Sequence, residues 1–159
     1  MKKLMSLILV LILCLSLCAC GGSSKLTAAD VEQALSECDG KLNLETSGDE
    51  VTGFTFTVEG VNADDLVDKK YSRDAINAIL SGDTANTTFG QYKVCKGFLP
   101  LMSIEVLFGG NEKNFNSGAF IEKLLGIVCD GNSAQYDGWV VTAKVDQGSD
   151  SITISVNSQ

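Results

Sequence analysis

The sequence predicts an α+β domain, in which an antiparallel sheet of about four strands carries helices on one face. In several segments apolar residues recur at three- and four-residue spacing, which is typical of helices that bury one side. In other segments apolar and polar residues alternate, which is typical of strands with one buried face. Along the chain these segments form two α-β-β units. We therefore expect one domain with a helical insertion between the units.

The first predicted unit begins with a helix from Thr27 to about Cys38. Thr27 and Asp30 have the spacing of a capping pair, and Gly40 follows as a stop signal. A hairpin with its turn at 47–50 comes next, and threonines separate the apolar residues of its second strand. The apolar positions of the two strands are Leu42, Leu44, Phe54, Phe56 and Val58.

The predicted helical middle opens at Asn62, and its first helical pattern ends at Gly82. Three aspartates, Asp64, Asp65 and Asp68, lie in the first two turns. Carboxylates at a helix start complement the helix dipole, so we interpret these residues as structural. A carboxylate cluster for acid-base chemistry is the alternative.

The stretch 98–108 permits two interpretations. Its apolar residues alternate as in a strand, yet Ser103 and Glu105 are its only polar residues, which suits a buried helix beginning at Pro100. We predict the helix and keep the strand as the alternative. Just before this stretch, Thr88–Gln91 has the pattern of a second capping box.

The second predicted unit begins with a helix from Asn116 to Gly131, and Phe115 and Phe120 are spaced as a hydrophobic staple. Two alternating strands follow, with their turn at 147–150. The order of elements is similar to that of small exported tandem α-β-β proteins of the PepSY and β-lactamase-inhibitor types.

The N-terminus has the pattern of an export signal. Two lysines precede an apolar stretch at 4–19 that is too short to span a bilayer. The sequence Leu17-Cys18-Ala19-Cys20, followed by two glycines and two serines, resembles the lipobox of bacterial lipoproteins. This resemblance implies that residues 1–19 are a removed signal peptide and that Cys20 receives a thioether-linked diacylglycerol. Residues 20–25 would form a flexible tether, and 26–159 the single domain.

The lipobox resemblance also implies a location and a partner. The lipid would hold the chain in the cell membrane, on the extracytoplasmic side. Removal of Lys2 and Lys3 with the signal changes the formal charge from −8 to 10 − 20 = −10. Because nucleic acids require a basic surface, we expect no nucleic-acid partner. We expect an envelope protein or a glycan as the second partner.

The residue types exclude several kinds of site. The chain contains no histidine, which removes Ser-His-Asp and Cys-His catalytic systems and His-containing zinc sites. It contains no P-loop or GxGxxG motif, so we expect no nucleotide cofactor and no metal. Besides Cys20, the chain after the signal holds Cys38, Cys95 and Cys129. Their apolar surroundings predict packed thiols, with a disulfide between Cys38 and Cys129 as the alternative.

The outward side of the predicted sheet is the one surface with a distinctive composition. Flat, hydroxyl-bearing sheets can dock glycans or partner proteins, although threonine is also common on strands for its propensity alone. The candidate ligand-binding residues are Thr55, Thr57, Thr142, Lys144 and Thr153.

Two functional hypotheses follow from the sequence. The first is a membrane-tethered, non-enzymatic binding or accessory module, because the chain combines an anchor with one small domain and lacks a recognisable catalytic set. The alternative is an envelope enzyme that uses carboxylates such as Asp64 and Asp68, or a cysteine nucleophile activated without histidine.

The lipobox predicts that Cys20→Ala abolishes both lipidation and signal processing, because the modified thiol would be the site that the peptidase recognises. Full-length protein should partition into the detergent phase of membrane extracts, and the variant should keep its signal. Mass spectrometry of the mature N-terminus measures the outcome. An unmodified N-terminus at another residue would instead indicate an ordinary secretory signal.

Overall fold

The computed structural model describes residues 25–82 and 87–159. The predicted signal peptide and Cys20 lie outside these residues. The described part is α+β, as the sequence predicts. In chain order its elements are α1 (Ala28–Leu35), β1 (Lys41–Ser47), β2 (Glu50–Glu59), α2 (Ala63–Val67), α3 (Lys69–Leu80), α4 (Phe89–Leu107), a 3₁₀ turn (Glu112–Asn114), α5 (Gly118–Cys129), β3 (Ala134–Tyr136), β4 (Trp139–Asp146) and β5 (Ser151–Ser158).

The sheet is antiparallel and has the strand order β1-β2-β5-β4-β3. The expectation of about four strands was wrong, since the described residues form five. The additional strand, β3, has three residues, Ala134–Tyr136, and pairs with the start of β4. The two long hairpins meet at the centre of the sheet, where β2 pairs with β5.

The pairing register places the large apolar side chains on one face. Phe56 lies opposite Leu42 on one side and Ile154 on the other, and Phe54 lies opposite Val156. Directly paired residues point to the same side of a sheet, so these side chains form one apolar surface. Phe54, Phe56 and Ile154 are buried as predicted; Trp139 lies on the same side but is partly buried.

The capping predictions at two helix starts are confirmed. Thr27 and Asp30 form a capping box at α1, and Thr88 and Gln91 form another at α4. In each box the hydroxyl accepts a backbone N–H while the partner side chain accepts the N–H of the capping residue. Helix α1 ends at Leu35, before the predicted Cys38.

The helix predicted from Asn62 to Gly82 is two helices, α2 and α3, separated at Asp68. Asn62 caps α2 as expected. Asp68 has an extended backbone, and its carboxylate accepts the N–H groups of Lys70 and Tyr71, each at 3.0 Å. The break escaped the sequence analysis because apolar residues continue at four-residue spacing across it. Asp68 therefore lies at the start of a helix, as predicted, but that helix is α3 and not the one that Asn62 caps.

The stretch 98–108 is helical rather than extended, but its helix does not begin at Pro100. Helix α4 begins at Phe89, directly after the Thr88 cap, and Pro100 lies buried inside it. Because α4 contacts α1, α2 and α3 as well as β2 and β5, apolar residues around most of its circumference are buried.

The helix predicted from Asn116 to Gly131 is shorter than expected. Helix α5 starts at Gly118, with Ser117 rather than Asn116 as its cap, and it ends at Cys129 before the predicted Gly131. The expected contact between Phe115 and Phe120 is present, with stacked rings whose centroids are 4.5 Å apart. This contact fixes the angle at which the chain enters the helix.

Phe56→Ala should lower the free energy of unfolding by about 3–5 kcal/mol, because Phe56 is 2% exposed and its removal leaves a cavity at the centre of the core. Denaturant titration of residues 25–159 measures the loss. Thr57→Ala, one position along the same strand and on the opposite face, is the matched control. A loss below about 1 kcal/mol for Phe56→Ala would contradict the register.

Candidate functional site

The five candidate residues lie on one surface of the sheet, opposite the helices. We call this surface the polar face and define it by the outward residues of β1, β2, β5 and β4. Its main members are Lys41, Asn43, Thr55, Thr57, Thr142, Lys144, Thr153 and Ser155. Side chains along a strand point alternately to the two faces of the sheet, so the residues between the buried apolar positions point outward. This alternation explains why the outward surface is polar.

The pairing register arranges these residues in rows that run across the strands. One row consists of Lys41, Thr57, Thr153 and Lys144. The hydroxyl oxygens of Thr57 and Thr153 are 3.1 Å apart and share a hydrogen bond. A lysine therefore stands at each end of a pair of hydroxyls.

The adjacent row consists of Asn43, Thr55, Ser155 and Thr142. The Asn43 amide donates to the Thr55 hydroxyl at 3.5 Å. Thr55 and Ser155 are half-buried by their neighbours, whereas Thr142 is exposed. Together the two rows bring the five candidate residues onto neighbouring positions, although they come from both ends of the chain.

Charges of both signs border the hydroxyl rows. Glu59 and Asp146 each pair with Ser151 in the row beyond the lysines. At the opposite end, Glu45 pairs with Gly53, and its carboxylate lies beside that glycine. The polar face therefore has no dominant charge, and its centre consists of neutral groups.

Hydroxyl and amide groups can both donate and accept hydrogen bonds. Neighbouring strands lie about 4.8 Å apart, so the rows present such groups at regular intervals on one side of the sheet. An array of this kind suits an extended polar ligand or the surface of a partner protein. A shallow, open depression lies elsewhere, beside the end of α3, and is lined by Asp74, Asn77, Ala78, Leu80, Ser81 and Asn116.

The three aspartates considered for catalysis have separate structural partners. Asp64 accepts a hydrogen bond from Gln147 at 2.8 Å, Asp65 accepts one from Asn62 at 2.6 Å, and Asp68 caps α3. Each is therefore engaged by a different part of the fold. Among residues 25–82 and 87–159, no group of three or more metal-ligating side chains comes together.

The three described thiols are free, and no disulfide joins Cys38 to Cys129. Burial raises the pKa of Cys95 to about 12 and those of Cys38 and Cys129 to about 11. The Cys38 sulfur lies 3.6 Å from the Ser103 hydroxyl, which partly opposes the effect of burial. Such thiols are almost entirely protonated at neutral pH, whereas a nucleophilic cysteine needs its thiolate.

Sequence reasoning missed one polar cluster, formed by Glu105, Lys123 and Tyr136. The Glu105 carboxylate pairs with the Lys123 ammonium at 2.7 Å and accepts the Tyr136 hydroxyl, while the ammonium lies 4.4 Å from the centre of the Tyr136 ring. Burial and the bond to Glu105 raise the pKa of Tyr136. The signal in the sequence was the single charged residue, Glu105, in the apolar stretch 98–108, since a partly buried carboxylate requires partners.

The chain has no match among protein-family models, curated proteins or solved structures. In the part of the chain that the structure describes, no helix combines the length and the apolar composition needed to cross a membrane. Because no matching protein offers a comparison, the polar face is described by its own geometry and chemistry.

Alkylation of Cys38 and Cys95 at pH 8 should be at least about 100-fold slower in the folded chain than in denaturant, because the raised pKa values remove the thiolate. Iodoacetamide labelling followed by mass spectrometry measures both rates. The folded pKa values exceed the unfolded one, so stability should also fall as the pH rises above about 9. Rapid labelling of either folded thiol would contradict the assignment of these groups as packed and unreactive.

Proposed function

We propose that the protein is a lipid-anchored module on the extracytoplasmic side of the cell membrane, and that it binds an envelope protein or a glycan through the polar face. The observation that carries this proposal is the continuous array of hydroxyl groups in the two rows of the sheet. The array includes Thr55, Thr57, Thr142, Thr153 and Ser155.

Support for the membrane location comes from the sequence. The lipobox-like residues end at Cys20, and the first described residue is Lys25. Two acyl chains on one cysteine would supply about 0.8 kcal/mol for each buried methylene group, enough for stable anchoring. A tether of four glycine and serine residues lies between the two points and would leave the domain free to orient.

Support for the class of ligand comes from the charge distribution. The hydroxyl rows are neutral at their centre, and their borders carry both lysines and carboxylates, such as Lys144 and Asp146. A strongly charged ligand would meet repulsion at one border. A glycan or a polar protein surface would instead exchange hydrogen bonds with Thr55 and Thr142 without that penalty.

The enzyme alternative requires an activated carboxylate or thiol. Asp64 and Asp68 bind Gln147 and the start of α3, respectively. Burial raises the pKa of every described thiol, which opposes nucleophilic attack. These contacts favour the binding module over the enzyme.

We further propose that the domain consists of two α-β-β units, α1-β1-β2 and α5-β4-β5. Support comes from the element order and from Cys-Asp-Gly at 38–40 and again at 129–131. Each unit would contribute one hairpin to the polar face.

Thr55→Lys combined with Thr142→Lys should abolish binding to isolated cell envelopes, because the two lysines would flank Ser155 and displace hydrogen-bonding groups. Pull-down of envelope fractions with residues 25–159 measures binding. Prior digestion of the fractions with a protease or with glycan hydrolases distinguishes the two ligand classes. Gln33→Lys combined with Ala119→Lys adds the same charge on the exposed helix side and should leave binding intact.

Asp64→Asn combined with Asp68→Asn separates the enzyme from the binding module. Under our proposal the pair leaves envelope binding intact and lowers stability by about 0.3–1 kcal/mol for each lost charge. The enzyme alternative instead requires loss of a hydrolytic activity with little loss of stability. We would abandon the binding module if that activity were lost while the Thr55→Lys, Thr142→Lys variant still bound.

A further inference from the structure

Strand β1 is an edge strand of the described sheet. In the described residues it has a hydrogen-bonded neighbour, β2, on one side only, whereas the opposite edge is the three-residue strand β3. An edge strand exposes backbone N–H and C=O groups that can pair with another strand. At seven residues, β1 is long enough to do so.

The sequence of β1 is self-complementary when it is read against a reversed copy. In the antiparallel register that sets Asn43 opposite itself, Lys41 faces Glu45, and Leu42 faces Leu44. Both directly opposed charge pairs are then of opposite sign, which favours antiparallel pairing. A shift of one residue would place Lys41 opposite Leu44 or Thr46 and bring polar and apolar faces together.

The surroundings of β1 agree with this register. Lys41 and Glu45 form no ion pair within the residues that the structure describes, so both charges are available to a partner. Leu42 and Leu44 are only half-buried. The pairing of β1 with β2 is regular from Lys41 to Glu45, and the β-bulge comes after that point, between Glu45 and Thr46.

We propose that two copies of this chain associate through β1, in an antiparallel pair centred on Asn43. The two-fold axis passes midway between the two copies of Asn43, perpendicular to the sheet. Each copy then contributes Lys41 to one charge pair and Glu45 to the other, and the leucines of both copies meet on the helix side. Such an interface is isologous and closes after two copies.

The pairing joins two five-stranded sheets into one sheet of ten strands. A two-fold axis perpendicular to the sheet keeps both polar faces on the same side. The row that contains Asn43, Thr55, Ser155 and Thr142 then continues into the equivalent row of the partner, because Asn43 faces its own copy. The association depends on the edge strand alone, so it does not require the proposed ligand of the polar face.

Disulfide trapping tests the register in the full chain, in membranes of cells that express it. Asn43→Cys should give a covalent dimer under mild oxidation, because directly opposed residues bring their Cβ atoms to about 4.5–5.5 Å, close to disulfide geometry. Lys41→Cys is the matched control: in this register its two copies lie about 13 Å apart along the strands and should not cross-link. Lys41→Cys combined with Glu45→Cys should restore the dimer.

Charge reversal tests the complementarity independently. Lys41→Glu should weaken self-association about tenfold, since both charge pairs become repulsive, and Glu45→Lys should do the same. Combining the two reversals restores both pairs and should recover the wild-type association. Lys70→Glu, at an exposed position of α3 outside the polar face, should have no effect. The yield of the Asn43→Cys dimer in each background is the readout.

Three outcomes would overturn the proposal. The first is an Asn43→Cys dimer yield no higher than in wild-type membranes, whose native thiols give the background. The second is preferential cross-linking of Lys41→Cys, which would indicate a different register. The third is failure of the combined charge reversal to recover the dimer. Each variant changes an exposed side chain, so loss of folding would not explain a negative result.

Discussion

The burial of α4 against the apolar face of the sheet is the constraint on which the rest of the structure depends. A helix with apolar residues around most of its circumference is stable only when other elements surround it. Gly97 permits the close approach, since a Cβ atom there would lie 3.1 Å from Leu66 and 3.5 Å from Ile152. Once α4 and its neighbouring helices occupy one side of the sheet, the other side remains open to water and must carry polar residues.

The hydroxyl array and the self-complementary edge are two results of this one-sided burial. Because the described helices lie on the apolar face, the alternation of side chains along each strand points Thr57 outward and Phe56 inward. The same sorting in β1 places Lys41 and Glu45 on the outer side and the leucines on the inner side. The proposed ligand surface and the proposed self-association edge can therefore coexist, since the first uses hydroxyl groups at the centre of the sheet and the second uses the backbone and the side chains of the edge strand β1.

The spacing of apolar residues within a single helix or strand was enough to predict most of the elements of the fold. The contacts between distant elements could not be predicted in this way. Alternation was sufficient for the four long strands and for the common face of the candidate residues. It failed for β3, because three residues are too few to show a period. The break at Asp68 was hidden by the continuous spacing of Val67 and Tyr71. Neither the pairing of Thr57 with Thr153 nor the partners of Glu105 could be predicted, because those contacts join distant parts of the chain.

The Val51 N–H donates to the Leu26 carbonyl at 2.9 Å, and this backbone hydrogen bond ties the start of the described chain to strand β2. A lipid on Cys20 would leave 26 − 20 = 6 residue steps before that point, and a fully extended chain of this length reaches about 20 Å. The domain could then rotate over the membrane but could not travel far from it. Any molecule that it captures would be held in the thin layer next to the lipid headgroups, where the encounter is effectively two-dimensional.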